Sequence, residues 1–203
     1  MSTINRSSSE FFSYEELKNS ICLAFSDTKH PEDKCIVNGA FPPLMPDSIE
    51  IYNLYRGRSW ETLNNDFFYL NGAIQFSIGF LTKESFLYYL PAFMIHLIDP
   101  NWNKTTGCLI ESLLYELDPD GNRNNLPILK KLDAKQSKCV ASFLKFLSLH
   151  EEIYGYETAI ETIILLDKYW NKFFNIDEVD VKPPLKKHKT NKAKQMNGLA
   201  QAR

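Results

Sequence analysis

The side chains able to do chemistry in this chain are four cysteines, four histidines and several groups of carboxylates, and few of them have reactive spacing. Cys108 with His96 or His150 offers the nucleophile and base of a hydrolase, since a thiol needs an adjacent imidazole and a third group to orient it. Both histidines lie beside apolar stripes of helical spacing, where a hydrogen-bonded structural imidazole is the commoner use. His30 and Cys35, with Cys22 nearby in sequence, are two or three of the ligands zinc requires, but no C-x-x-C or H-x-x-x-H pair accompanies them. Asp118-x-Asp120-Gly121-Asn122 opens like a calcium loop, yet its glycine comes too early and no closing glutamate follows, so it reads as a turn that ends a helix. The phosphate-binding glycine motifs, H-E-x-x-H and a repeated E-x-x-H are all missing from the sequence. No cofactor is implied.

One cluster is less ordinary. Tyr52, Tyr55, Arg56, Arg58 and Trp60 place arginines among aromatics, the composition of buried anchors in protein interfaces. The competing reading sends the three rings into the core and leaves Arg56 and Arg58 to pair with acidic neighbours.

Charge is distributed unevenly. Residues 182–203 hold seven basic side chains and no acidic one, leaving 16 basic and 25 acidic residues before them, a balance of −9. An acidic body thus precedes a cationic segment, with Pro183-Pro184 at the join. Lys186, Lys187, Lys189, Lys192 and Lys194 are candidate anion-binding residues, toward nucleic acid or an anionic membrane surface, and Lys186-Lys187-His188-Lys189 resembles a nuclear-import address. A solvated disordered end is the plainer reading of the same composition.

The elements that must position these groups follow from pattern. At 203 residues, with 44 % apolar and 24 % charged side chains, the chain has the composition of a folded globular protein. Its 13 % aromatic content beside only 8 glycines favours a bulky core over a turn-rich sandwich. The longest apolar run, Phe86 to Ile95, falls short of the roughly 20 residues a membrane span needs. The amino terminus lacks the charge-then-apolar order of a secretory signal, and the widely spaced Cys22, Cys35, Cys108 and Cys139 suit reduced thiols in a cytoplasm.

Ser13 and Glu16 have capping-box spacing, with Phe12 and Leu17 placed as a hydrophobic staple, and Tyr14, Leu17, Ile21 and Phe25 continue as one stripe. Asp27 to Pro46 is too rich in proline to hold a period and is expected to cross as a long irregular loop. Asp47 is placed to cap a short helix to Tyr55 with Ile49, Tyr52 and Leu54 inward, a strand over Ile49 to Tyr55 being the alternative that the alternation Ile49, Ile51, Asn53, Tyr55 offers, and Ser59 caps another helix at Trp60. Phe67 to Leu81, interrupted by Gly72 and Gly79, predicts short helical turns. Thr82 caps a helix over about 82–98 that is apolar all round and bent by Pro91, so it must be central. Thr105 or Thr106 opens a helix to Leu117, and Asp133 caps one carrying Val140, Phe143, Leu144 and Leu147. A last long helix is expected from Tyr156 to Phe174, with Ala159, Ile163, Leu166, Trp170 and Phe173 inward. The expected fold is all-α, one multi-helix domain over 11–176 around the Pro91 helix, between a flexible 1–10 and a disordered basic tail over 177–203.

Two stretches carry a family resemblance. Tyr55-Arg56-Gly57-Arg58-Ser59-Trp60-Glu61-Thr62-Leu63 and Phe80-Leu81-Thr82-Lys83-Glu84-Ser85-Phe86-Leu87-Tyr88-Tyr89-Leu90-Pro91-Ala92-Phe93-Met94 are similar to a bacterial family of small proteins known only as a domain of unknown function. Leu132 to Gln136 and Asp167 to Trp170 extend the likeness, which spans roughly residues 12–174 in order. The resemblance implies a compact helical domain and names no catalytic residue. The Pro-rich stretch 31–46 and the basic tail depart from its usual short form.

These observations point to a non-enzymatic protein-interaction module, of an immunity or anti-toxin kind, whose acidic helical surface binds a basic protein partner. Nucleic-acid association through the tail and an unrecognised hydrolase are the alternatives.

Overall fold

The computed structural model describes residues 13–101, 107–121 and 124–174. Among them lie α1 (Tyr14–Phe25), α2 (Pro46–Tyr55), α3 (Asn65–Leu70), α4 (Ile74–Ser77), α5 (Lys83–Ile98), α6 (Gly107–Leu117), α7 (Leu126–Leu129), α8 (Ala134–Leu149), α9 (Glu151–Tyr154) and α10 (Tyr156–Leu165). A π turn, Leu166–Trp170, and a 3-10 turn, Asn171–Phe173, continue α10, and no strand occurs among the described residues. The fold is all-α.

Local capping chemistry starts the principal helices where the side chains demand it. Ser13 Oγ accepts from the Glu16 amide while Glu16 accepts from the Ser13 amide at 2.8 Å, so two orphan donors of α1 are satisfied reciprocally. Asp133 and Gln136 form the same box at the start of α8, at 2.8 and 3.1 Å. Thr82 caps α5 by accepting from the Ser85 amide at 3.1 Å.

α5 is the axis of the core. Every residue from Lys83 to Ile98 is buried except Lys83, Glu84, Leu87 and Ile95, and Pro91 is accommodated inside the helix. α1, α8 and the turn Trp60–Thr62 pack on it. α8 is the second hub, sandwiched between α1 on one side and α9, α10 and the π turn on the other. The indole N–H of Trp170, fully buried, donates to the Leu117 carbonyl at 3.0 Å and so closes the C-terminal end of α6.

The long crossing before α2 is irregular, as its prolines require, but it is pinned rather than loose. Ile36 and Val37 are buried, and Val37 bridges Leu81 in antiparallel fashion, the Asn38 amide donating to Phe80 at 2.8 Å and the Thr82 amide to Ile36 at 3.1 Å. The hydroxyls of Thr82 and Ser85 both donate to the Cys35 carbonyl. The crossing thereby fastens onto the first turn of α5.

Three expectations need correction. α2 begins with Pro46 at its first position and no side-chain cap, so Asp47 lies one residue inside; the buried residues are Ile51, Tyr52 and Tyr55, while Ile49 is exposed. Proline at that position lacks only an amide that would be unpaired anyway. The last helix is not continuous, because the backbone widens into a π turn at Leu166 that carries Trp170 to Leu117. Ile163, expected inward, faces outward. The staple residue Phe12, the helix start at Thr105 or Thr106, and all five candidate tail lysines lie outside the described residues.

Candidate functional site

The segment Tyr52 to Trp60 is divided between inside and outside. Tyr52, Tyr55 and Trp60 are buried. The Tyr55 hydroxyl lies 2.7 Å from Ser77 Oγ, and its ring packs 4.6 Å from that of Tyr89; burial drives the phenol well above its ordinary pKa. The guanidinium of Arg56 lies 5.7 Å from the Tyr52 ring centre, with its Nε 3.5 Å from an Asp33 oxygen, and that of Arg58 lies 5.6 Å from the Phe67 ring centre. The three rings are committed to the core. Of the five clustered residues, Arg56 and Arg58 are the two that reach solvent, in contacts worth little at an exposed site.

The candidate catalytic and metal groups are occupied separately. His96 is buried, stacked 4.1 Å from Phe68, and its Nδ1 meets Asn65 Oδ1 at 2.8 Å. Burial lowers its pKa to about 4, so it stays neutral, and its Nε2 has no hydrogen-bond partner among the described residues. His150 closes α8, with Nδ1 2.8 Å from the Phe146 carbonyl and its ring stacked on Phe146. His30 holds the crossing: Nδ1 lies 2.6 Å from the Pro31 carbonyl and Nε2 3.0 Å from that of Arg58. Cys139 is buried, its thiol pushed up to about 11 by desolvation and donating to the Ser20 carbonyl at 3.4 Å. Cys108 is exposed, and all four cysteines are free. Among the described residues no hydrogen bond joins a histidine to a cysteine, and no three His, Cys, Asp or Glu side chains gather as a metal set. The Asp118 turn closes on itself, the Asp120 amide donating to Asp118 at 3.0 Å, and Lys168 pairs with both carboxylates at 2.7 and 3.2 Å.

The surface that sequence reasoning missed lies on α10. Gly155, at φ +92°, is a conformation L side chains rarely adopt, and it separates α9 from α10 so that the latter leaves at a new angle. One side of α10, Ala159, Thr162 and Leu165, packs inward, mainly on α8. The Thr162 hydroxyl satisfies itself on the helix, donating to Thr158 and Ala159 carbonyls at 3.0 and 2.8 Å. A second apolar stripe points outward: Tyr156 is 66 % exposed, Ile160 38 %, Ile163 44 % and Ile164 56 %. Spacings of three and four residues put these side chains on one face.

Glu157 and Glu161 border that stripe. The Glu161 carboxyl is held above its usual range by desolvation first, then by the negative charges of Glu111 and Asp118, so the acids of α6 and α10 act on one another. Glu111 also lines a neighbouring cleft of about 330 Å³ walled by Phe76, Ile78 and Tyr115. The sequence cue was present: Ala159, Ile160, Ile163, Ile164, Leu165 and Leu166 are more apolar residues than one buried stripe of this helix can absorb.

Fold and surface together define a helical domain built on a buried proline-containing helix and carrying an acid-bordered apolar face. The chain belongs to DUF6714, a family of unknown function, whose family model matches residues 13–174. Comparison with curated proteins and with solved structures finds no match. No helix among the described residues is long and apolar enough to cross a membrane.

Proposed function

We propose that this protein is a non-enzymatic interaction module that binds a basic, amphipathic protein partner on the outward face of α10. One observation carries the reading: α10 is apolar on two sides, and only one of them meets the core. Exposed β-branched residues neither favour a helix nor gain from burial here, so Ile160, Ile163 and Ile164 are costs to the isolated domain. An apolar strip rimmed by charge is the usual anatomy of a protein contact site. Glu157, Glu161 and Glu111 set the sign of the partner as positive. Arg56 and Arg58 remain as a separate exposed basic spot. Sequestering a basic protein in the manner of an immunity protein, in a bacterial cytoplasm, is the finer form of this proposal; its support is the acidic body and the four free thiols.

The test compares wild type with Ile160→Asp/Ile164→Asp by affinity capture and mass spectrometry, after circular dichroism shows that both are equally helical. A partner with a net positive contact segment should be retained by wild type and lost by the variant. Identical capture profiles would dismiss the reading.

A further inference from the structure

The chain itself contains a segment with the chemistry that the α10 face demands. Residues 182–203 carry seven basic side chains and no acidic one, with Leu185, Met196 and Leu199 interspersed. They follow α10 on the same polypeptide. The eleven residues between Phe174 and Lys186 span at most about 40 Å, against roughly 27 Å from Phe174 back along the terminal turns and α10 to Tyr156, so covalent reach suffices. A second copy of this chain is a poorer occupant, because a two-fold contact through this face would bring Glu157 and Glu161 against their own equivalents.

We propose that residues 182–203 dock on the outward face of α10 of their own chain and compete there with a basic partner. The lysines face Glu157, Glu161 and Glu111, and the interspersed Leu185, Met196 and Leu199 cover Ile160, Ile163 and Ile164. The inference rests on the reading of α10 as a binding face. Tethering gives the segment an effective concentration in the millimolar range, so an external partner must bind well enough to displace it. Rising salt screens the contact and releases the segment.

The experiment uses the full chain and a variant with Lys186, Lys187, Lys189, Lys192 and Lys194 all replaced by Gln. The probe is a fluorescent synthetic peptide with the sequence of residues 182–203. If the tethered segment occupies α10, the variant should bind the peptide at least about tenfold more tightly than wild type. Amide resonances of residues 156–164 should differ between the two proteins at low salt and converge at high salt. Adding Ile160→Asp/Ile164→Asp to the lysine variant should abolish peptide binding. Equal peptide affinity for wild type and the lysine variant overturns the proposal, as does binding of the wild-type segment to duplex DNA with no change at residues 156–164 on lysine replacement. Failure of the α10 reading itself looks different: partner capture is then indifferent to Ile160→Asp/Ile164→Asp, whereas failed docking of the segment leaves capture dependent on α10 and insensitive to the tail lysines.

Discussion

The hydroxyl of Tyr89 donates to the backbone carbonyl of Tyr55 at 3.0 Å, and it also lies 3.1 Å from the carbonyl of Arg58. The middle of the central helix α5 thereby closes the end of α2, whose last carbonyls have no partner within their own helix. Because the Tyr55 and Tyr89 rings pack together, one residue supplies both packing and the terminal hydrogen bond.

Tyr89→Phe keeps the ring and removes the donor. It should cost about 0.5–1.5 kcal/mol, the net worth of one hydrogen bond, because the Tyr55 carbonyl keeps the Arg58 amide at 3.1 Å and the Arg58 carbonyl keeps His30 Nε2 at 3.0 Å. Urea denaturation followed by circular dichroism should show a lower midpoint with an unchanged slope.

Stability should fall in mild acid through His96. Its folded-state pKa, about 4, lies below the unfolded value near 6.5, so the unfolded chain takes up the proton first. The contribution is complete above about pH 6.5 and is lost as pH falls toward 4. His96→Gln retains an amide that can face Asn65 and should flatten the stability profile across that window. An unchanged slope between wild type and variant would contradict this assignment.

Glu161 has the opposite sign. A carboxyl whose folded pKa is raised favours folding in its protonated form, so the benefit is present in acid and disappears as pH rises through the raised value. Glu161→Gln should therefore be modestly more stable than wild type at pH 7, and the two should converge in acid. Thermal melts at pH 4 and pH 7 measure the difference.

Lys83 supports a buried carboxylate. Its ammonium donates to Glu116, whose side chain is almost fully enclosed, and to Asn125 Oδ1. The Asn125 amide in turn donates to the Tyr115 and Asp118 carbonyls at 3.1 and 3.3 Å, holding the end of α6. Lys83→Met should destabilise by up to about 3–5 kcal/mol, because it takes a cationic partner away from a buried carboxylate. Pairing it with Glu116→Gln should recover part of that loss in a double-mutant cycle.

How much of this was legible beforehand depended on whether the partner was local. The box Ser13/Glu16 and the caps at Thr82 and Asp133 close within three residues, so local sequence located them, although Gln136 completing a second box was not read from it. The burial of α5 on every side followed from its lack of a polar face. Val37 with Leu81 and Trp170 with Leu117 are set by chain segments 44 and 53 residues apart, and no local pattern announces them. Periodicity also cannot rank two apolar stripes on one helix: Ile163 fitted an inward spacing, yet the buried face runs through Ala159, Thr162 and Leu165. In the Tyr52 to Trp60 cluster the residue types were informative but their direction was not, since aromatics serve a core and an interface equally well.

The thiol of Cys139 reaches back to the carbonyl of Ser20, and Gln136 reaches Thr28. In synthesis from the amino terminus, the ribosome releases the first helix long before the eighth. At roughly 5–20 residues per second the intervening stretch of about 120 residues takes on the order of 6–24 s to translate. Throughout that interval the greasy side of the nascent helix, Leu17, Ile21 and Phe25, lacks the cover that α8 supplies. The nascent α1 therefore stays exposed to chaperones until α8 arrives, and a pause in translation between the two helices would prolong that vulnerable period.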